Sequence, residues 1–455
     1  MTTARERLER DLNRDPGILI IAYPYARTWR EISQKAVRES WTHVPAGERA
    51  ALYLHIPFCH RKCMYCDFLA YYGRPGSEIE RYLELLRREI RQVGEMAGHV
   101  MVESMEFGGG TPSLLSPEQV ASVMDALRAN FRFTPDAQFT MEVFPDASVT
   151  KELMAGWRQT GVNRLSFGVQ FLDDGLKRML HRSDTSADIL RILCEAREVG
   201  FDDYNVDLMC GLPEQGEESW RQTYREILRM RPAHVCVFPV SVRHEGIGLY
   251  KRRTTLPPPS RSRLMYEEAM KGLCEAGYER TTRHNFRLGT HDCTYERMMA
   301  QLCPVIGLGA HAVSQSKDCI YKSHSHLGKY ATAVSNSDLA VMTGHTFPDE
   351  EKPHNFAVRK VENLRLDGKD FARQFKRSLH EVFPEEIGLL EECGLAQMSN
   401  GDLVLTEDGV YYTAAVKRTF FHPSAWERFE AMRPKEFKVE RGALDPIENL
   451  ASLLV

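Results

Sequence analysis

The segment Leu52–Phe68, LYLHIPFCHRKCMYCDF, sets Cys59, Cys63 and Cys66 on one tight loop directly after a short run of β-forming residues. Three thiolates at C-x3-C-x2-C spacing can hold three irons of a [4Fe–4S] cube and leave the fourth open to a small molecule. The same residues admit two other readings. One is a tetrahedral zinc completed by His55 or His60, and the other is a redox thiol group. Structural zinc sites usually come as two spaced pairs, and no second C-x2-C or H-x3-H stands nearby, so the spacing favours the cluster.

Outward from this segment, strand-like and helix-like stretches alternate. The expected strands are Leu52–Phe58, Ser104–Gly108, Gln138–Val143, Asn163–Gly168, Asp203–Met209 and His234–Val240, each short and bounded by turn residues. Between them lie amphipathic stretches at Glu78–Val93, Pro117–Asn130, Lys151–Thr160, Ser186–Val199 and Glu217–Met230. Ser116-Pro117-Glu118 is a helix start: a capping hydroxyl, then proline at the first helical position, then an acid in the first turn. Six consecutive βα units imply parallel strands joined by right-handed crossovers. Six are too few to close an eight-stranded barrel. The expected core is therefore an α/β fold, an open partial (β/α)6 barrel with its chemistry at the C-terminal ends of the strands.

Two regions flank this core, dividing the chain into 1–50, 51–345 and 346–455. The first is an N-terminal extension with a strand at Ile18–Ala22 and an amphipathic helix near Trp29–Trp41. Its Tyr23, Tyr25, Arg27 and Trp29 can close as a lid over a flat or unsaturated substrate. Equally, they can cover the open edge of the sheet. After Pro348 come shorter helices, an Asn400-Gly401 turn and a β-hairpin at Leu403–Glu407, a small C-terminal α+β, winged-helix-like domain. A net charge of −4 over 455 residues leaves no electrostatic footprint for nucleic acid, so packing outranks DNA binding there.

Eleven cysteines, mostly single, give no disulfide framework. Cys194, Cys210, Cys236 and Cys274 read as buried small hydrophobes in a reducing compartment. The start, MTTARERLERDLNRD, has no secretory apolar region, and the run Gly17–Tyr25 falls short of the roughly 20 residues that span a bilayer. A cytoplasmic protein without membrane or nucleic-acid partners is expected.

Each expected strand end offers a polar or glycine group. The second ends in Phe107-Gly108-Gly109-Gly110-Thr111-Pro112, where glycines let a ligand approach the backbone, although such a run is also a common tight turn. Glu142 follows the third strand, Gln170 the fourth with Arg182 shortly after, and Asp207 lies in the fifth. Arg182 suits bidentate capture of a carboxylate. Singly, each has a bland explanation. Their convergence on one cavity argues for a site.

LYLHIPFCHRKCMYCDF, EFGGGTPSLL, MEVFPD, NRLSFGVQ and NVDLMCGLP together resemble the radical S-adenosylmethionine (SAM) superfamily, and within it the coproporphyrinogen-dehydrogenase-like branch, over about Tyr53 to Gln315. The resemblance implies a [4Fe–4S] cluster on Cys59, Cys63 and Cys66, two SAM molecules, and an external flavodoxin- or ferredoxin-like electron donor. It implies that Tyr53, Gly109, Glu142, Ser241 and Val313 contact one SAM, that Gly110, Thr111, Gln170, Arg182 and Asp207 contact the other, and that Tyr65 packs near adenine. Glu142 joins the three cysteines among the residues expected to act in catalysis.

Departures sort the branch. Coproporphyrinogen dehydrogenases carry a fourth cysteine two residues after the third, where this chain has Phe68. Haem chaperones carry His-Asn-x-x-Tyr-Trp, where this chain reads His284-Asn285-Phe286-Arg287-Leu288-Gly289. The remaining members are C-methylases and cyclopropanases of natural-product pathways, with haem-opening methyltransferases beside them. The expected function is therefore transfer of a methyl or methylene unit from the second SAM to an sp2 carbon. Anaerobic tetrapyrrole chemistry and haem transfer stand as alternatives. Cys293, Cys303 and Cys319 are expected to be structural or near the substrate.

Overall fold

A computed structural model describes residues 4–12, 22–240, 248–249 and 256–436. Six parallel strands form its centre: β1 (Arg49–Ile56), β2 (Met101–Gly109), β3 (Arg132–Val143), β4 (Arg164–Gln170), β5 (Tyr204–Cys210) and β6 (His234–Pro239). They lie side by side in chain order, as successive crossovers dictate. The strands are buried on both faces, β1 almost throughout, which is the burial a parallel sheet needs. The helices between them begin and end on their own signals. Pro117–Asn130 starts in a full capping box between Ser116 and Gln119. Lys151–Thr160 starts on the Thr150 hydroxyl and stops at Gly161, whose φ of +110° only glycine adopts cheaply.

The sheet continues past both edges to twelve strands. Beyond β6 lie β8 (Asn285–Leu288) and β7 (Tyr278–Arg280), both antiparallel. Beyond β1 lies β9 (Val305–Leu308), a seventh parallel strand, followed by antiparallel β10 (Val313–Gln315), β11 (Cys319–Ser323) and β12 (Val341–Thr346). The sequence did not announce β9: it has four residues and reaches β1 from far along the chain.

The described part of the N-terminal extension pairs with the edge of the sheet. Arg30 and Gly344 exchange both backbone hydrogen bonds, at 3.2 and 2.8 Å, so the extension pairs onto β12. The expected helix near Trp29–Trp41 forms at Gln34–Thr42, started by the Ser33 hydroxyl, and the Trp41 indole donates to the Tyr321 hydroxyl at 2.9 Å. Tyr23 is wholly buried against Phe347 and Phe421. Helix Ala4–Leu12 packs on Pro384–Glu392 and Thr413–Thr419. Apart from Ala22, the expected strand Ile18–Ala22 lies outside the described residues.

The C-terminal region carries a three-stranded sheet in the order β13 (Arg365–Leu366), β15 (Asp402–Leu405), β14 (Ala396–Ser399), with three helices between its first two strands, as in a winged helix. The hairpin sits earlier than expected. Asn400 and Gly401 take positive φ, which closes β14 onto β15, and Glu407 instead opens a helix capped by Thr406. Cys210 and Cys236 are buried as expected, whereas Cys194 and Cys274 are exposed, because they fall on the outer faces of their helices. Among the described residues no helix is long and apolar enough to cross a membrane.

Candidate functional site

The glycines after β2 are there for close approach, not merely for a turn. A methyl group on Gly108 would sit 2.7 Å from the Tyr53 ring, one on Gly109 2.8 Å from the His55 ring, and one on Gly110 2.6 Å from the Phe58 carbonyl. Without side chains the loop lies flat on the end of β1, and Gly110 N–H donates to the Ile56 carbonyl at 2.8 Å. This brings the Thr111 hydroxyl to 3.3 Å from the Cys59 sulfur, to which it donates.

The cysteine loop springs from a short parallel pairing of Phe58–Cys59 with Tyr71–Tyr72. Burial pushes the Cys59 thiol up and Cys66 to about 11, with the neighbouring sulfurs adding to both. Unliganded, these thiols hold their protons. A bound cationic centre reverses that preference and takes them as thiolates. Among the described residues no three His, Cys, Asp or Glu side chains are set to hold a single metal ion. His55 turns inward, with Nε2 buried and without a hydrogen-bond partner, and burial drives it down to about 3 with help from His311.

A cavity of about 460 Å³ lies at the C-terminal ends of the strands. It brings together Cys63, Tyr65, Cys66, Gly109, Gly110, Thr111, Glu142, Gln170, Arg182 and Asp207 of the expected site. Phe68, 56% exposed, stands at its mouth. Cys59 lies behind Thr111, and Tyr53 behind Gly108 and Glu142. Val313 is not in this wall. Its backbone stands against Gly307, which pairs with Tyr53, which pairs with Glu106, so it joins the same row of the sheet. Ser241 lies outside the described residues.

Glu142 accepts from Gly109 N–H at 3.1 Å. Its carboxyl is held well above the ordinary range by burial, then by the acids Glu106 and Asp207. Burial likewise raises Asp207, which accepts from the Asn205 amide at 2.7 Å. Gln170 closes a bulge in β4 at a φ of +66°, a left-handed conformation that turns its amide into the cavity and is costly for a residue with a side chain. Arg182 departs from expectation. Its bidentate grip is spent within the chain on Asp184, at 2.7 and 2.9 Å, and it also donates to the Gly168 carbonyl and the Tyr65 hydroxyl. It thereby holds Tyr65 in place.

A second cavity of about 360 Å³ opens behind the first and shares Glu142, Ser166, Asp207, Phe238 and His284 with it. This is the barrel lumen. Sequence reasoning missed its lining: Glu106, Arg164, Tyr295, Glu296, Arg359 and Lys417. One signal was available, since Glu106 and Arg164 lie two residues from Gly108 and Ser166 on the same strand face. Cys293 also lines the lumen; Cys303 lies outside it and Cys319 is buried in the core. His284 is fixed by Val237, whose carbonyl lies 2.9 Å from Nδ1, and burial drives it down to about 3, so it is neutral at ordinary pH.

The radical SAM superfamily profile matches residues 53–227. The chain is 30% identical to the oxygen-independent coproporphyrinogen III oxidase of Bradyrhizobium diazoefficiens, across 75% of this chain and 79% of that protein. It belongs to the radical SAM superfamily. Its branch is the coproporphyrinogen-III-oxidase-like one, the branch the motifs resembled. The solved structure of coproporphyrinogen III oxidase from Escherichia coli superposes with a TM-score of 0.81 at 25% identity, covering 88% of this chain and 96% of that one. The Bacillus subtilis heme chaperone HemW is 29% identical over 78% of this chain and 95% of its own length. A radical SAM fold with a partial barrel, a [4Fe–4S] cluster and SAM as cofactors follow from membership. These relatives carry tetrapyrrole names. They favour the tetrapyrrole alternatives over the expected C-methylation or cyclopropanation of a natural product.

Proposed function

We propose that this chain is a radical SAM enzyme acting on a tetrapyrrole-class substrate in the lumen behind Glu142 and Asp207. The observation that carries the reading is the continuity of the two cavities through those carboxyls, on a chain related over most of its length to coproporphyrinogen oxidases. Cys59, Cys63 and Cys66 would hold the cluster, with the Thr111 hydroxyl supporting the Cys59 sulfur. When bound, the cluster supplies the electron that cleaves SAM to a 5′-deoxyadenosyl radical. An external electron donor of flavodoxin or ferredoxin type would reduce it.

The chain's own residues do the rest. Gly109 and Gly110 let a ligand reach the backbone, and Glu142, released from Gly109 N–H, becomes an acceptor for an ammonium or ribose group. Gln170 and Asp207 present an amide and a carboxyl to a second SAM molecule in the same cavity. Tyr65, fixed by Arg182, gives a flat face for an adenine. The lumen keeps the reacting carbon away from bulk water.

A second reading, methyl or methylene transfer to an sp2 carbon, draws on Phe68, which occupies the position of the fourth cysteine at the cavity mouth. One experiment separates the two. Anaerobically reconstituted protein is given methyl-deuterated SAM, a reductant, and either coproporphyrinogen III or haem. Substrate-dependent 5′-deoxyadenosine without deuterium supports direct abstraction from the tetrapyrrole. Deuterium in 5′-deoxyadenosine supports the methylene route. No stimulation by either tetrapyrrole sinks the main reading.

A further inference from the structure

Arg359 projects from helix Lys352–Lys360 into the lumen wall and is 9% exposed. Its hydrogen-bond partners are both neutral: the Gln315 side-chain oxygen at 2.6 Å and the Met299 sulfur at 3.9 Å. No carboxylate pairs with it. Nearby Glu362 forms its ion pair with Lys417, so Arg359 has no salt bridge of its own, and Glu362 and Tyr295 only partly offset the effect of burial on it. Burial accordingly lowers the Arg359 pKa. Taking a cation out of water without a partner is costly, and natural interiors accept it where a ligand completes the pair. The same cavity is lined by the acids Glu106, Glu142, Asp207 and Glu296, and there the buried cation Arg164 already stands among them. Arg359 has no such partner.

We propose that Arg359, positioned by Gln315, is a substrate-binding residue that takes a carboxylate of the molecule on which the radical acts. A planar guanidinium with free N–H groups matches a carboxylate bidentately, and the buried setting strengthens the bond. The substrate is thus an acid, with a carboxylate held in the lumen wall beside Gln315. The proposal deepens the tetrapyrrole reading and rests on it only for the choice of probe.

Two measurements on the full-length, anaerobically reconstituted protein test it. In the first, thermal unfolding of Arg359→Met is compared with the native chain without ligand. The expected melting temperature is equal or higher, because no native ion pair is lost, and a fall of several degrees marks Arg359 as structural and overturns the proposal. In the second, coproporphyrin III and its tetramethyl ester are titrated against tryptophan fluorescence. The acid is expected to bind at least tenfold tighter than the ester. Arg359→Met is expected to erase that ratio while leaving the ester unchanged, and Arg359→Lys to restore part of it. An acid-to-ester ratio unaltered in Arg359→Met overturns the proposal. If neither probe binds the native protein, the tetrapyrrole reading falls, and the melting comparison still decides whether Arg359 is structural.

Discussion

Two buried arginines line the joined cavities, Arg182 the first and Arg359 the second. Arg182 is saturated: Asp184, the Gly168 carbonyl and the Tyr65 hydroxyl occupy it, and Lys177 shares the same aspartate. Arg359 has a neutral amide and a sulfur. The first is architecture, a charge whose partner the chain provides. The second is a charge whose partner is to arrive. A buried cation thus reports a binding site through the partner it lacks, not through its burial.

The comparison breaks most sharply in stability. Arg182→Met leaves Asp184, whose side chain is wholly buried, with Lys177 alone. Losing one member of a buried ionic set costs about 3–5 kcal/mol, so the urea midpoint should fall far below that of Arg359→Met. Equal midpoints for the two variants would erase the distinction. Next in size is Gly110→Ala, whose new methyl meets the Phe58 carbonyl at 2.6 Å. Forced overpacking against backbone costs about 1–3 kcal/mol. The displaced loop should also lower the iron retained after reconstitution, measured as iron per chain.

Proton linkage among the lumen acids gives a smaller effect. Burial holds Glu106 up at about 7 against an ordinary 4.5. Between those values the folded chain keeps a proton that the unfolded chain releases, so stability falls as pH rises through that window. Glu106→Gln removes its share of the fall, together with the part of the Glu142 shift that Glu106 causes. Relative to the native chain it should gain about 1 kcal/mol per pH unit from pH 5 to 7, read from paired denaturation curves. His55 and His284, both driven down to about 3, titrate in the opposite sense below pH 6.5 but are common to both proteins and cancel. The smallest change expected is Phe68→Cys at the exposed mouth, within about 0.5 kcal/mol of native stability and without loss of iron.

What could be read from the sequence was local. Pro117–Asn130, Lys151–Thr160 and Glu217–Met230 form where periodicity and caps place them, because those signals act within one turn of helix. The cavity wall was legible for a similar reason: a strand's end fixes which residues reach the mouth. Arg182 lines that wall, and its pairing with Asp184, two residues away, was not foreseen because nothing in the sequence marks both as buried. The lumen was opaque. Arg359 and Gln315 meet from a helix and a strand 44 residues apart, and only the folded chain brings them together. The N-terminal extension was ambiguous because edge-covering and lid segments have the same aromatic content; the Arg30–Gly344 pairing shows that it covers the edge.

Helix Lys352–Lys360 and Lys417 belong to the chain after the barrel, yet they wall its interior. The wall of one cavity is thereby written in two stretches of sequence, one of which carries neither the cysteine loop nor the glycine run. Trimming that stretch to obtain a minimal barrel would remove a wall of the reaction chamber, not an ornament.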